Sequence, residues 1–321
     1  MLGIIPNGKA ITDIEKLLTQ CKLFVALYSE TDANGKTITG FITKAESAIL
    51  ARVDFIDAET DLTSHQAMLR KLVRRGVRKP RTKLFTTNYD LAFEYAARLQ
   101  RFVVIDGFSH AALPVFDRSH FELDIVRRDA KDAPDYLDSV VQLYKLHGSI
   151  GWRRTTTEII RSRGDEGKPV LIYPRDSKYQ EAFEPPYLDM MSAFQSALRE
   201  PDTTLLVAGF SFNDSHLAQP VLAALESNMS FRLVVCDPVF LDSKLIEKDP
   251  VTVGSDAAKN SFHQQLIRLI QAGDERVMLL NGRFADLTLA VPDLVAETER
   301  ERHALRVKAL RDATGSAGAK S

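Results

Sequence analysis

Two stretches of this chain put a reactive polar side chain directly after an apolar, β-favouring run. Leu84-Phe85-Thr86 leads into Thr87-Asn88-Tyr89-Asp90, and a helical pattern, Leu91-Ala92-Phe93-Glu94-Tyr95-Ala96-Ala97, follows at once. Val140 to Leu146 leads into His147-Gly148-Ser149 in the same way. A carboxamide such as that of Asn88 holds a water or a hydroxyl in place without carrying charge. An imidazole such as that of His147 accepts a proton near neutrality. In an open α/β sheet, ligands sit beyond the carboxyl ends of the strands, so both turns are expected to face one crevice.

The elements that must position these groups alternate. Ile11, Ile14, Leu17, Leu18, Cys21, Phe24 and Val25 recur at helical spacing and predict a helix as far as Tyr28. Ala33-Asn34-Gly35-Lys36 reads as a turn, and Phe41 to Val53 and His65 to Val73 read as helices that cover a sheet. Phe102 to Gly107 is a short strand ending in a turn, and residues 108–139 read as an irregular insertion at the crevice mouth. Trp152 to Ile160 and Val170 to Pro174 suggest a β-hairpin turned by Gly164-Asp165-Glu166-Gly167. A helix from Pro185-Pro186 to Leu198 precedes the strand Thr203 to Gly209, the turn Phe210-Ser211-Phe212-Asn213-Asp214 and a helix from Ser215. Phe231 to Cys236 is another strand, ended by Asp237-Pro238. Ser261 to Gln271 is helical, Arg276 to Leu280 is a strand, and Asn281-Gly282 is a turn, with the core ending near Leu289. Glu297 to Asp312 reads as a charged helix, and Gly315 to Ser321 as a flexible tail. The fold class that follows is α/β: a doubly wound, Rossmann-like, mostly parallel sheet.

With 321 residues and 45% hydrophobic content the chain can bury a full core. Lys plus Arg (42) balances Asp plus Glu (43), so the overall field favours neither nucleic acid nor an anionic membrane. The basic stretch Arg70 to Arg81 reads as a solvated helix end and loop. Two cysteines, Cys21 and Cys236, are too few for a four-cysteine zinc site, and buried thiols are the expectation. No secretory leader pattern opens the sequence and no run reaches membrane-spanning length, so a cytoplasmic location is expected. No Gly-x-x-x-x-Gly-Lys-Ser/Thr loop occurs, so any ATP-driven step belongs to a partner.

Phe85 to Asp90, Tyr144 to Trp152, Val207 to Asp214 and Val235 to Pro238 together resemble bacterial sirtuin-like domains, in order and spacing. With Ile105 to Phe108 and Leu171 to Arg175, the chain is similar to the sirtuin-like subunit that works with a HerA-type ATPase in anti-phage defence, over residues 10–240. The resemblance implies an NAD-binding domain over residues 1–290, with N-terminal helices at 10–80 and an insertion at 107–185, followed by a C-terminal segment at 291–321. It implies that Asn88 and His147 carry NAD chemistry, that Thr87 and Asp90 hold the nicotinamide half, and that Gly209, Ser211 and Asp237 line the adenosine and phosphate half. NAD is then the substrate of an NAD+ hydrolase (NADase), acting within a ring-like homo-oligomer beside a hexameric HerA-like ATPase. A DNA nuclease subunit of the same complex and a non-catalytic ring scaffold are the alternatives. Two departures from the family pattern stand out. The Gly-Ala-Gly turn of a first strand has no match around Gly3 and Gly8, and that strand is expected upstream of Met1. The zinc ribbon of the protein deacetylases needs four cysteines and the chain has two, which turns the expectation from deacylation to NAD hydrolysis.

Overall fold

The computed structural model describes residues 14–28, 33–74, 80–128, 134–164, 166–171, 185–240, 260–293 and 306–307. In chain order, helices α1 (Ile14–Tyr28), α2 (Ala33–Val53) and α3 (Thr63–Val73) come first, then strand β1 (Lys83–Thr86), α4 (Ala92–Gln100) and β2 (Val103–Ile105). A 3-10 turn at Arg118–Glu122 leads to β3 (Val126–Arg128), β4 (Pro134–Tyr136), β5 (Val140–Lys145), β6 (Gly148–Arg154), β7 (Ile159–Arg161) and β8 (Lys168–Leu171). The remaining elements are α5 (Tyr187–Arg199), β9 (Thr204–Ala208), α6 (Ser215–Ser227), β10 (Arg232–Cys236), α7 (Ser261–Gln271), β11 (Val277–Leu280) and α8 (Phe284–Ala290).

The parallel α/β architecture expected from the alternation is present, with its strands divided between two sheets of order β1-β5-β2 and β11-β10-β9. Every residue of β5 is buried, as a strand covered on both faces requires, and the run Val-Val-Gln-Leu-Tyr-Lys supplies the β-branched and aromatic bulk for it. The largest core cluster packs Tyr144, Trp152, Met190, Phe194, Phe231 and Leu233 among others, so it joins elements from both parallel sheets. Phe85 of β1 stacks on Tyr144 of β5 at 4.8 Å between ring centroids and meets Phe194 of α5 edge-on at 5.1 Å.

Three local expectations are corrected. Ala33 to Lys36 is the first turn of α2 and not a loop: Gly35 and Ile38 are buried, and tertiary packing overrides the Asn-Gly turn signal. Trp152 to Ile160 is not one strand. The Thr155 hydroxyl oxygen accepts from the backbone N–H groups of Thr157 (3.3 Å) and Glu158 (3.1 Å), which folds the run back between β6 and β7. β8 pairs with the other edge of β6, so the hairpin is part of a three-stranded antiparallel sheet, β7-β6-β8. Residues 108–139 also carry more order than an irregular loop, since β3 and β4 pair and Phe108 bridges to Phe116. Leu2 to Gly8, Ile172 to Arg175, Asp165 and the tail Gly315 to Ser321 lie outside the described residues, as does all of Glu297 to Asp312 except residues 306–307, which are helical. No described helix is long and apolar enough to cross a membrane.

Candidate functional site

The register of the first parallel sheet brings Asn88 and His147 together. β1 and β5 pair with Phe85 opposite Tyr144 and Thr86 opposite Lys145, and the N–H of Leu146 donates to the carbonyl of Thr86 at 2.8 Å. Asn88 and His147 each lie two residues beyond the last matched pair, so they leave the sheet side by side at its carboxyl end. Both line one cavity of about 390 Å³, together with Val53, Thr87, Tyr89, Asp90, Phe210, Ser211, Asn213 and Asp214. That volume lies within the roughly 300–1,000 Å³ typical of small-molecule sites.

The turn carrying Asn88 is held from several sides. The N–H of Asn88 donates to the Thr86 hydroxyl at 3.1 Å, and the Asp90 carboxylate accepts from the N–H of Ala92 at 2.8 Å at the start of α4. The N–H of Ile150 on β6 donates to the carbonyl of Tyr89 at 3.1 Å. Beneath the turn lies Lys145, whose side chain is 2% exposed; it donates to the carbonyl of Asp90 and, at 2.9 Å, to the Glu94 carboxylate. A buried ammonium is tolerated only with such partners. Lys145 was visible in the sequence as a cation inside an apolar run and was not singled out there.

The second parallel sheet supplies the opposite wall. After β9 the chain turns at Gly209 (φ +66°), and an added Cβ there would meet nothing within 4 Å among the described residues, which leaves the backbone open to a close ligand approach. The Ser211 hydroxyl accepts from the Asn213 side chain at 3.0 Å. Ser211 does not cap α6; Asp214 does, its carboxylate accepting from the N–H of His216 at 3.0 Å. The other carboxylate oxygen of Asp214 lies 3.3 Å from Nε2 of His147, with the two side chains 9% and 6% exposed. At that distance the pair is within electrostatic contact but lacks aligned hydrogen-bond geometry, and among the described residues neither atom has a hydrogen-bond partner. Their proximity and shared burial define the arrangement. Asp214 was legible only as a residue before a helix, and nothing in its local pattern pointed to His147.

Gly209 and Asp237 do not line the cavity, but they stand next to each other beyond the matched pair Ala208 and Cys236 at the ends of β9 and β10. Asp237 accepts from the N–H of Val239 at 2.8 Å and is half-buried. Within the basic stretch, Arg74 pairs with Asp293 and Arg81 binds Asp124 at 2.8 Å, while Arg75, Arg78 and Lys79 lie outside the described residues. Cys21 and Cys236 are buried free thiols on α1 and β10, and burial pushes both above their ordinary value. Among the described residues, no group of three or more His, Cys, Asp or Glu side chains is placed to hold a metal ion.

Residues 82–251, more than half of the chain, match the family model of the SIR2-like domain. The chain belongs to the SIR2-like family. A search among curated proteins returned no match. The SIR2-like fold implies NAD binding, and the residues fit that ligand: the cavity is large enough for its nicotinamide riboside half, and the open backbone at Gly209 lies at the neighbouring strand end. In this SIR2-like protein the matched region includes both turns of the cavity and the strand end that bears Asp237.

Proposed function

We propose that this protein is an NAD+ glycohydrolase, cleaving NAD+ to nicotinamide and ADP-ribose, with Asn88 and His147 as catalytic residues. The observation that carries the reading is the meeting of these two side chains over one cavity at the carboxyl ends of paired parallel strands. Breaking the bond between nicotinamide and ribose builds positive charge on the sugar, as in glycoside cleavage. The Asn88 carboxamide orients the attacking water or a ribose hydroxyl, and the His147 imidazole takes the proton that water loses. Thr87 and Asp90 hold the nicotinamide side, while Gly209, Ser211 and Asp237 serve the phosphate and adenosine side. The resemblance over residues 10–240 supports a setting in anti-phage defence, in which NAD loss stops phage growth and a HerA-type ATPase assembles with a ring of this chain. Leu23 and Leu27 on α1, 46% and 78% exposed, offer apolar surface for that assembly.

The test is nicotinamide release from NAD+ by the purified protein, alone and with the ATPase, measured beside DNA cleavage. Asn88→Ala and His147→Ala are each expected to lose about 10²- to 10⁴-fold in rate, the contribution of a positioned catalytic group. NAD turnover that survives both substitutions removes the site assignment. DNA cleavage without NAD loss moves the function to the nuclease alternative.

A further inference from the structure

We propose that Asp214 is the positioning residue of His147, fixing the ring so that Nε2 carries the proton and Nδ1 faces the cavity as the acceptor; this rests on the NAD-hydrolysis reading above. The two residues belong to different sheets and different turns, and they meet at 3.3 Å with both side chains buried. Nε2 of His147 and the facing Asp214 oxygen are both sealed from solvent and, among the described residues, have no other hydrogen-bond partner. Leaving either unpaired there is costly, and Nε2–H donating to the ionised carboxylate relieves both. That donation selects the tautomer, because a neutral imidazole protonated at Nε2 keeps its lone pair on Nδ1. Nδ1 is not among the sealed atoms, and His147 lines the cavity. The carboxylate is itself immobilised, since its other oxygen caps α6 through the N–H of His216 at 3.0 Å.

In the reaction, the water oxygen bonds to the anomeric carbon of the ribose as the bond from that carbon to the nicotinamide nitrogen breaks. The bonding electron pair leaves with neutral nicotinamide. The water proton passes to Nδ1 of His147, and the imidazolium so formed lies against the Asp214 carboxylate until it releases the proton to solvent. The same division of labour, one ring nitrogen reacting and the other held by a carboxylate, governs the serine hydrolase triad.

Asp214→Asn separates this role from helix capping, because Asn caps a helix about as well as Asp. Full-length wild type and Asp214→Asn are compared by nicotinamide release, by thermal melting and by ¹⁵N NMR of labelled imidazoles, with the His147 signal identified from its absence in His147→Ala. The expected result is a fall in kcat of about 10-fold or more, within the 10²- to 10⁴-fold that a positioned base contributes. KM changes by less than about threefold, the mark of an interaction made in the transition state. Melting stays at the wild-type value, and the ring signal moves from the Nε2–H form toward a mixture. An Asp214→Asn protein with wild-type kcat, or a wild-type ring protonated at Nδ1, overturns the assignment. Wild type that releases no nicotinamide, either alone or with the ATPase, sinks the NAD-hydrolysis reading instead, and the ¹⁵N spectra then still decide whether Asp214 sets the His147 tautomer.

Discussion

Gly148, the residue after His147, tests how tightly the antiparallel sheet holds the histidine turn. Its φ is +90°, and a Cβ added there would lie 2.1 Å from the carbonyl oxygen of Val170 and 3.0 Å from its carbon. Both atoms are backbone of β8, where Gly148 is matched to Leu171, so no side-chain rotation relieves the clash. Forcing an L-residue into a left-handed conformation costs about 1–2 kcal/mol. Parting β6 from β8 gives up one or two ladder hydrogen bonds at about 1 kcal/mol each. It also loosens the buried side chains of Val170 and Leu171. Gly148→Ala is therefore expected to cost about 3–4 kcal/mol, a large share of the roughly 5–15 kcal/mol that holds a domain folded. Urea denaturation followed by far-UV circular dichroism measures the loss, and a thermal melt should fall by about 10 °C. A variant whose urea midpoint and melting temperature match wild type would refute the reasoning, since the backbone would then accommodate a group that the geometry excludes.

Gly209→Ala is the opposite case: with nothing among the described residues within 4 Å of the added carbon, it should cost stability through its positive φ, about 1–2 kcal/mol, while the methyl group obstructs ligand approach. Calorimetry should show NAD affinity weakened about tenfold or more, equivalent to about 1.4 kcal/mol, and unchanged affinity would remove Gly209 from the ligand path. Burial holds the His263 imidazole below its ordinary value of 6.5, with Asp237 opposing the shift, and both ring nitrogens are buried without a hydrogen-bond partner among the described residues. The unfolded chain then takes up a proton that the folded chain resists, so stability is unaffected well above the unfolded value of about 6.5 and declines as pH falls through it. His263→Leu should flatten that decline between about pH 7 and pH 5 in denaturation curves, whereas curves parallel to wild type would show that His263 contributes nothing to it.

Much of this protein is written locally. The buried run Val140 to Lys145 was readable as β5 because a strand covered on both faces needs continuous β-favouring bulk, and α7 was readable from Ser261 to Gln271 because its apolar periodicity is strong. The candidate turns at Asn88 and His147 were visible for the same reason: each interrupts an apolar run with a polar residue. Local pattern failed where a contact distant in sequence outweighed it. Asn34-Gly35 signals a turn, yet burial of Gly35 and Ile38 makes it helix; three consecutive threonines signal a strand, yet the Thr155 hydroxyl folds them into a turn. Tertiary structure alone decided that Thr86 sits opposite Lys145, which sets Asn88 beside His147, and that Asp214 arrives from the other sheet to face the same imidazole. Strand register and the approach of two sheets are set by how the whole core packs, and no window of sequence around any one of these residues contains that information.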